Sequence, residues 1–541
     1  MTPWESHPLA TLLVMPTFKS ALFPIAGGPP DAAPSDAKTV GLCFSGGGSR
    51  ALSCALGQYR ALSLLDLMGD VTYISSVSGG TWASAAYTYL PAEFDDEDFL
   101  GPATLNPHDI TLLEIDAKHK YNALDYLTPN NLGHVPTRLN FLDDIQVILD
   151  LKTKYGYAND VLWQGLIGER IFNLWNLWTV GSDGLPTQYY SRTQRYVEQA
   201  VIANNPSLRV TDFVLHERTR PYLIMNSSIV SNPQQEGSQL IPFESTGIGI
   251  GVRATFNDGV DGQTIGGGLI QPFAMGSSWI SDIAGSNLAN VTMPSRPFSL
   301  VDMAGISSAA FAETVQSKFP IFDCIVPKYD YWPVANRENT PVYNYEFADG
   351  GSLENTGLCS LLARNVRRAI VFANASTPLT NENGTISVSS EIAMLFGVAP
   401  TTLALSNKEP SQQIPPNGDL TFNQVFASTD YQSLLDALWQ KNGVEGKPAV
   451  VKQTLNVLPN TNWNIAGNYE VEILWVYNTM VMKWWRQLRM DVQFYLDTVP
   501  NFPNYSTVLQ LGLSAREVNA LAQLSFWSLY SEQDLVRSMF E

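Results

Sequence analysis

What this chain lacks narrows it quickly. Its 541 residues hold four cysteines, Cys43, Cys54, Cys324 and Cys359, with no C-x-x-C pair. That excludes a disulfide scaffold and a zinc finger, and it predicts small buried thiols in a reducing compartment. No H-E-x-x-H segment occurs, so neither a metal site nor a cofactor is expected. No apolar run reaches the ~18 residues that cross a bilayer. Residues 9–15 are apolar but short, have no basic residue ahead of them and end at Pro16, which makes a poor signal peptide and predicts a cytoplasmic protein. Cations are scarce too: 32 Lys and Arg face 51 Asp and Glu, for a net charge of −19. A nucleic-acid partner is thereby excluded, because phosphate neutralisation needs clustered cations. The same balance disfavours a polybasic anchor on anionic lipid, so any transient membrane contact would run through apolar patches.

Histidine is rare as well, and its placement matters more than its number. The five histidines are His7, His108, His119, His134 and His216, and none follows position 216. A hydrolase built in the order Ser…Asp…His needs its histidine after the acid. If the acid lies in the second half of the chain, that triad cannot form, and a carboxylate must act as the base.

What is present reads as α/β. Residues 1–38 form an arm and a Pro/Gly/Ser-rich linker (27–38), and one catalytic domain is expected over 39–541. The apolar run 40–44 predicts a buried parallel strand, 49–68 a helix, 71–76 a strand and 79–90 a helix. This β-α-β-α start predicts a mainly parallel sheet covered on both faces. Strands are expected again at 221–230, 342–347 and 369–372, with a helix at 358–367. Residues 100–215 lose the rhythm and carry Trp163, Trp175 and Trp178, as an inserted cap or as ordinary helical core. Residues 377–420, rich in Pro, Asn, Ser and Thr, predict a flexible loop, and the Trp-rich stretch around 475–485 predicts an amphipathic helix.

Three segments carry chemistry. Ser76-Val77-Ser78-Gly79-Gly80 follows a strand and opens a helix. It meets the G-x-S-x-G pattern except that Ser76, also small, stands first, and it presents Ser78 as a nucleophile at a helix N-terminus. Ser45-Gly46-Gly47-Gly48-Ser49-Arg50 lies between another strand and helix. Its consecutive glycines can turn amides toward an oxyanion, and neither nucleotide-loop pattern is met. Gly46, Gly47, Gly48 and Gly79 are therefore the candidate oxyanion donors, and Arg50 could meet a substrate phosphate. Asp349-Gly350-Gly351 follows the strand at 342–347 and puts a carboxylate at a strand end, where α/β sites gather. An Asp-Gly-Gly turn alone is usually only a turn; beside Ser78, Asp349 would be a base.

Together these residues resemble the cytosolic phospholipase and fungal lysophospholipase family, whose wider relatives are the patatin-like acyl hydrolases. The glycine loop resembles its oxyanion loop, and Ser76–Trp82 resembles its nucleophile segment through Thr81-Trp82. Pro242–Thr246, with Gly247 where the family has proline, Ala304–Phe311, and Asp349–Asn355 are similar to three further family segments, in order. The resemblance implies a patatin-like three-layer α/β fold with inserted caps and a Ser78–Asp349 dyad. It also implies hydrolysis of a phospholipid or lysophospholipid acyl ester through an acyl-enzyme. An acyltransferase using the same intermediate, a silent lipid-binding protein and a histidine-dependent hydrolase remain alternatives.

Overall fold

The structure is a computed structural model that describes residues 17–24, 39–116, 130–232, 237–310, 312, 325–337, 342–401, 415–507 and 511–541. The linker 27–38, His7, His119, Phe311 and Cys324 lie outside the described residues.

The apolar run Val40–Phe44 (β2) is buried along its length. It pairs in parallel with Val71–Val77 (β3) on one side and with Arg368–Ala373 on the other. Outward from these, Tyr222–Val230 runs parallel to β3 and Tyr469–Tyr477 parallel to Arg368–Ala373, giving five parallel strands. Antiparallel strands extend this centre on both sides into a 14-stranded sheet. One flank ends at Ala449–Val457; the other passes through Leu240–Ser245 and reaches Thr17–Pro24 (β1). The expected arm therefore contributes a strand inside the sheet, paired with Leu288–Thr292 on one side and with Gly268–Ile270 on the other.

Strand parity shows that helices cover both faces. Phe44 stacks on Tyr59 of the helix Gly48–Leu64 (α1), with ring centroids 4.6 Å apart. Gly41, of opposite parity, faces Leu361 of the helix Leu358–Leu362, whose Cδ1 would lie 2.5 Å from a Cβ there. Successive residues of a strand point to opposite faces, so α1 and Leu358–Leu362 sandwich the sheet. The helix Gly79–Tyr89 (α2) and the C-terminal helix Ala515–Tyr530 pack against α1.

Two expectations are corrected. The Trp-rich tail is not a helix at Trp475: Tyr469–Tyr477 is a strand, and only Met482–Trp485 is helical. Val471, Ile473, Leu474, Trp475 and Val476 are all buried, and a strand buried on both faces shows no alternation to distinguish it from a buried helix. Where 377–420 predicts a loop, the described residues form a hairpin, Thr380–Glu382 with Thr385–Ser387, and a helix, Ser390–Leu395. In the 100–215 region, Trp163 and Trp175 are core side chains; the Trp163 indole donates to the carbonyl of Gly305 at 2.9 Å.

Candidate active site

The site follows from one feature of the sheet. Tyr222–Val230 is long enough to pair with two strands along a single edge. Leu240–Ser245 occupies its other edge over Met225–Val230. On the free edge β3 pairs in parallel and ends with Val77 opposite Asn226. The strand Tyr343–Asp349 pairs antiparallel and ends with Asp349 opposite Ser227. Two strands running toward each other thus bring their C-terminal ends together at Asn226 and Ser227. Ser78 is the next residue after β3.

Across that junction the Ser78 hydroxyl donates to Asp349 Oδ2 at 2.9 Å, although the two residues are 271 positions apart. Ser78 has φ 50° and ψ −121°. A non-glycine residue held there costs about 1–3 kcal/mol, and its surroundings must enforce it. They do so from several sides. The Ser78 N–H donates to Ser307 Oγ at 3.1 Å, and the Ser307 hydroxyl donates to the carbonyl of Asn226 at 2.6 Å. Thr81 Oγ1 lies 2.9 Å from the same Ser307 oxygen, and the Trp82 indole donates to Ser308 Oγ at 2.9 Å. The Thr-Trp pair after the nucleophile turn is therefore docked on the Ser-Ser pair of the helix Leu300–Ser307 and its cap.

Asp349 is 2% exposed. Its Oδ1 accepts the Gly351 N–H at 2.6 Å, and its Oδ2 accepts the Ala310 N–H at 3.3 Å as well as the serine hydroxyl. These N–H bonds aim the buried carboxylate at the serine hydroxyl. A side chain on Gly350 would sit 2.6 Å from the Asn226 carbonyl, so this turn closes only with glycine.

The glycine loop sits directly beside this pair. A Cβ on Gly79 would fall 2.1 Å from the carbonyl oxygen of Gly48, so the N-termini of α1 and α2 touch. Among the described residues the amides of Gly47, Gly48 and Gly79 donate to no protein acceptor. Gly46 differs from the expectation. Its N–H is spent on Asn355, to the side-chain and main-chain oxygens at 3.1 Å each, so it fixes the loop instead of facing a ligand. Asn355 in turn donates to Glu391 at 3.3 Å.

Arg50 also departs from its expected role. It is 1% exposed; its Nε donates to the Asn374 carbonyl at 2.8 Å and its Nη1 to the Tyr505 carbonyl. A guanidinium tied to main-chain oxygens inside the protein does not reach a substrate phosphate. It lies beneath Gly47 and ties the glycine loop to the C-terminal segment, where Thr507 also donates to the Gly47 carbonyl.

The histidines stand apart. None of those described hydrogen-bonds Ser78. His216 is buried against Tyr89, at 4.4 Å between ring centres. Burial, then the charges of Arg192 and Arg220, push its pKa down to about 3. Glu244, from the Pro242–Thr246 segment, is a buried partner of Arg364 at 2.6 Å and does not touch the pair. No cluster of His, Cys, Asp and Glu among the described residues could hold a metal ion.

Asn226 and Ser307 were not singled out from the sequence as positioning residues. Asn226 donates to Ser75 Oγ and to the Ser76 carbonyl, both at 2.9 Å, and accepts from Ser360 at 2.6 Å. The available signal was Asn226-Ser227-Ser228 interrupting an otherwise apolar strand, since buried polar groups there must be bonded to something.

No family model matches the chain. Among curated proteins, the human cytosolic phospholipase A2 delta is 38% identical over 72 residues, which is 13% of this chain and 9% of that protein. The human cytosolic phospholipase A2 beta is 34% identical over 93 residues, 17% of this chain and 11% of that protein. Among solved structures, human GIVD cytosolic phospholipase A2 aligns with a TM-score of 0.45 at 12% identity, covering 93% of this chain and 60% of that one. The matches thus span about a tenth of the curated relatives' length. Each curated match is a local likeness to a cytosolic phospholipase A2.

Proposed function

We propose that this cytosolic-phospholipase-A2-like chain hydrolyses acyl esters of phospholipids or lysophospholipids with Ser78 as nucleophile and Asp349 as its base. The observation that carries this reading is the direct 2.9 Å bond from the Ser78 hydroxyl to Asp349, with unpaired amides at two adjoining helix N-termini. As the serine oxygen attacks the ester carbonyl carbon, its proton passes to Asp349 Oδ2. The carbonyl oxygen becomes an oxyanion, stabilised by the N–H groups of Gly47, Gly48 and Gly79. Each such donor is worth about 3 kcal/mol in the transition state. Collapse breaks the bond to the leaving alcohol, whose oxygen takes the proton from Asp349. Water then attacks the acyl-serine, Asp349 accepts one of its protons, and the fatty acid leaves as the serine is re-protonated. The buried charge of Arg50 beneath Gly47 supports the oxyanion side of the site without touching substrate.

Mass spectrometry of products from a mixed lipid extract tests the proposal. The wild-type chain should release free fatty acids, and Ser78→Ala should release none above background. Fatty-acid release by Ser78→Ala at a rate near wild type would remove the serine from the mechanism. Adding glycerol or lysophospholipid acceptors to the same assay separates hydrolysis from acyl transfer.

A further inference from the structure

The C-terminal quarter carries a surface unlike the rest of this acidic chain. Met490 and Phe494 lie one turn apart on the helix Met490–Thr498, and they are 84% and 73% exposed, the two highest values among the large apolar side chains described. Residues four apart share a helix face. Just ahead of them, the helix Met482–Trp485 exposes Met482, and Lys483, Arg486 and Arg489 are exposed around it. Gln493 ties the two helices together, donating to the carbonyls of Trp485 and Leu488 at 3.0 Å each. From 479 to 490 the sequence holds three cations and no acid, within a chain of net charge −19. Arg489 reaches Asp491 at 3.5 Å, whereas Lys483 and Arg486 join no ion pair among the described residues.

We propose that this face, centred on Met490 and Phe494 and ringed by Lys483, Arg486 and Arg489, docks the protein on an anionic lipid surface. Exposed apolar side chains beside cations match the layered chemistry of a bilayer, with the apolar groups below the headgroups and the charges among the phosphates. A local excess of positive charge is what an anionic surface selects, and the negative charge elsewhere turns the rest of the molecule away from it. The bulk composition hides this patch, since an average over the whole chain argues against any cationic contact.

The patch is also built onto the candidate site. Beneath it Trp484 stacks on Phe502 at 6.4 Å, and Phe502 meets Tyr505 edge-on at 6.0 Å. The Tyr505 carbonyl holds Arg50 under the glycine loop. A docked patch would therefore place the loop near the lipid surface. In giving the site its substrate the inference rests on the lipid-ester reading, but the binding test below does not depend on turnover.

The test is co-sedimentation of the full chain, carrying Ser78→Ala so that the lipid is not consumed, with vesicles of equimolar phosphatidylcholine and phosphatidylserine or of phosphatidylcholine alone. We expect binding to the mixed vesicles, weakened by salt and much weaker on phosphatidylcholine alone. Met490→Asp with Phe494→Asp should weaken it by about tenfold or more, and Lys483→Glu with Arg486→Glu by roughly fivefold per charge. With Ser78 restored, both double variants should hydrolyse a short-chain soluble ester at the wild-type rate, which reports that they are folded. Undiminished vesicle binding by either double variant, equal binding to both lipid compositions, or no binding by the parent would overturn the docking proposal. Vesicle binding with no turnover of any ester by the restored chain would instead count against the hydrolase reading alone.

Discussion

The turns after Phe44 and after Val77 meet the same steric demand in opposite ways. Each leaves a parallel strand, opens a helix and needs backbone on the left-handed side. The first uses glycine, with φ 131° at Gly47 and 52° at Gly48. The second uses serine, with φ 50° at Ser78. Glycine takes such angles freely and leaves amides to donate. Serine takes them at a cost, and the hydroxyl it gains is held against Asp349. Strain is kept where a side chain is needed and avoided where the backbone suffices.

The comparison can be broken most forcefully at the serine itself. Ser78→Ala or Asp349→Asn should lower turnover roughly a thousandfold or more while leaving the melting temperature near wild type, as calorimetry and an esterase assay on the same samples would show. Next comes the contact between the turns. Gly79→Ala places a methyl group 2.1 Å from the Gly48 carbonyl, and such overpacking should cost about 1–3 kcal/mol in denaturant unfolding. Ser307→Ala leaves the Ser78 N–H without its partner; the expected loss is about 1–2 kcal/mol of stability, with a fall in kcat and little change in KM. A smaller and more pointed effect separates the two turns. Ser78→Gly should raise stability by about 1 kcal/mol by releasing strain, whereas Gly48→Ala should lower it by a similar amount. If both substitutions destabilise equally, the serine turn stores no strain.

A pH-dependent effect lies away from the turns, at His216. Its folded-state pKa, pushed down to about 3 by burial and by Arg192 and Arg220, is below the ~6.5 of an unfolded chain. The unfolded state therefore binds the proton first, and stability present above pH ~6.5 is lost as pH falls toward 3. His216→Gln should flatten that part of the pH dependence of the unfolding midpoint, while esterase activity at neutral pH persists.

The sequence was most legible where local pattern and local role coincide. Residues 40–44 and 71–76 are short apolar runs ended by small residues, and the strands form there as β2 and β3. The pairing of Ser78 with Asp349 is what the family resemblance implies; the absence of histidine after position 216 excludes only the Ser…Asp…His order with Asp349 as the acid. How they meet could not be read. It depends on Tyr343–Asp349 joining Tyr222–Val230 antiparallel, end to end with β3, and register across hundreds of residues leaves no trace in spacing. Arg50 shows the other limit. Residue type and position suggested a ligand for phosphate, but Asn374 and Tyr505 supply its partners from segments that sequence adjacency cannot reveal. At Trp475 the apolar pattern predicts a helix and the chain forms a strand, because a strand buried on both faces and a buried helix offer the same apolar run.

The most direct measurement is the rate at which a fluorophosphonate ester labels Ser78, followed by peptide mass spectrometry, in the wild-type chain and in Asp349→Asn. A carboxylate acting as the sole base requires rapid labelling of the first and labelling of the second that is slower by orders of magnitude, with all five histidines replaceable without loss. Equal labelling of both proteins, or labelling abolished by replacing one histidine in a chain that remains folded, would contradict it.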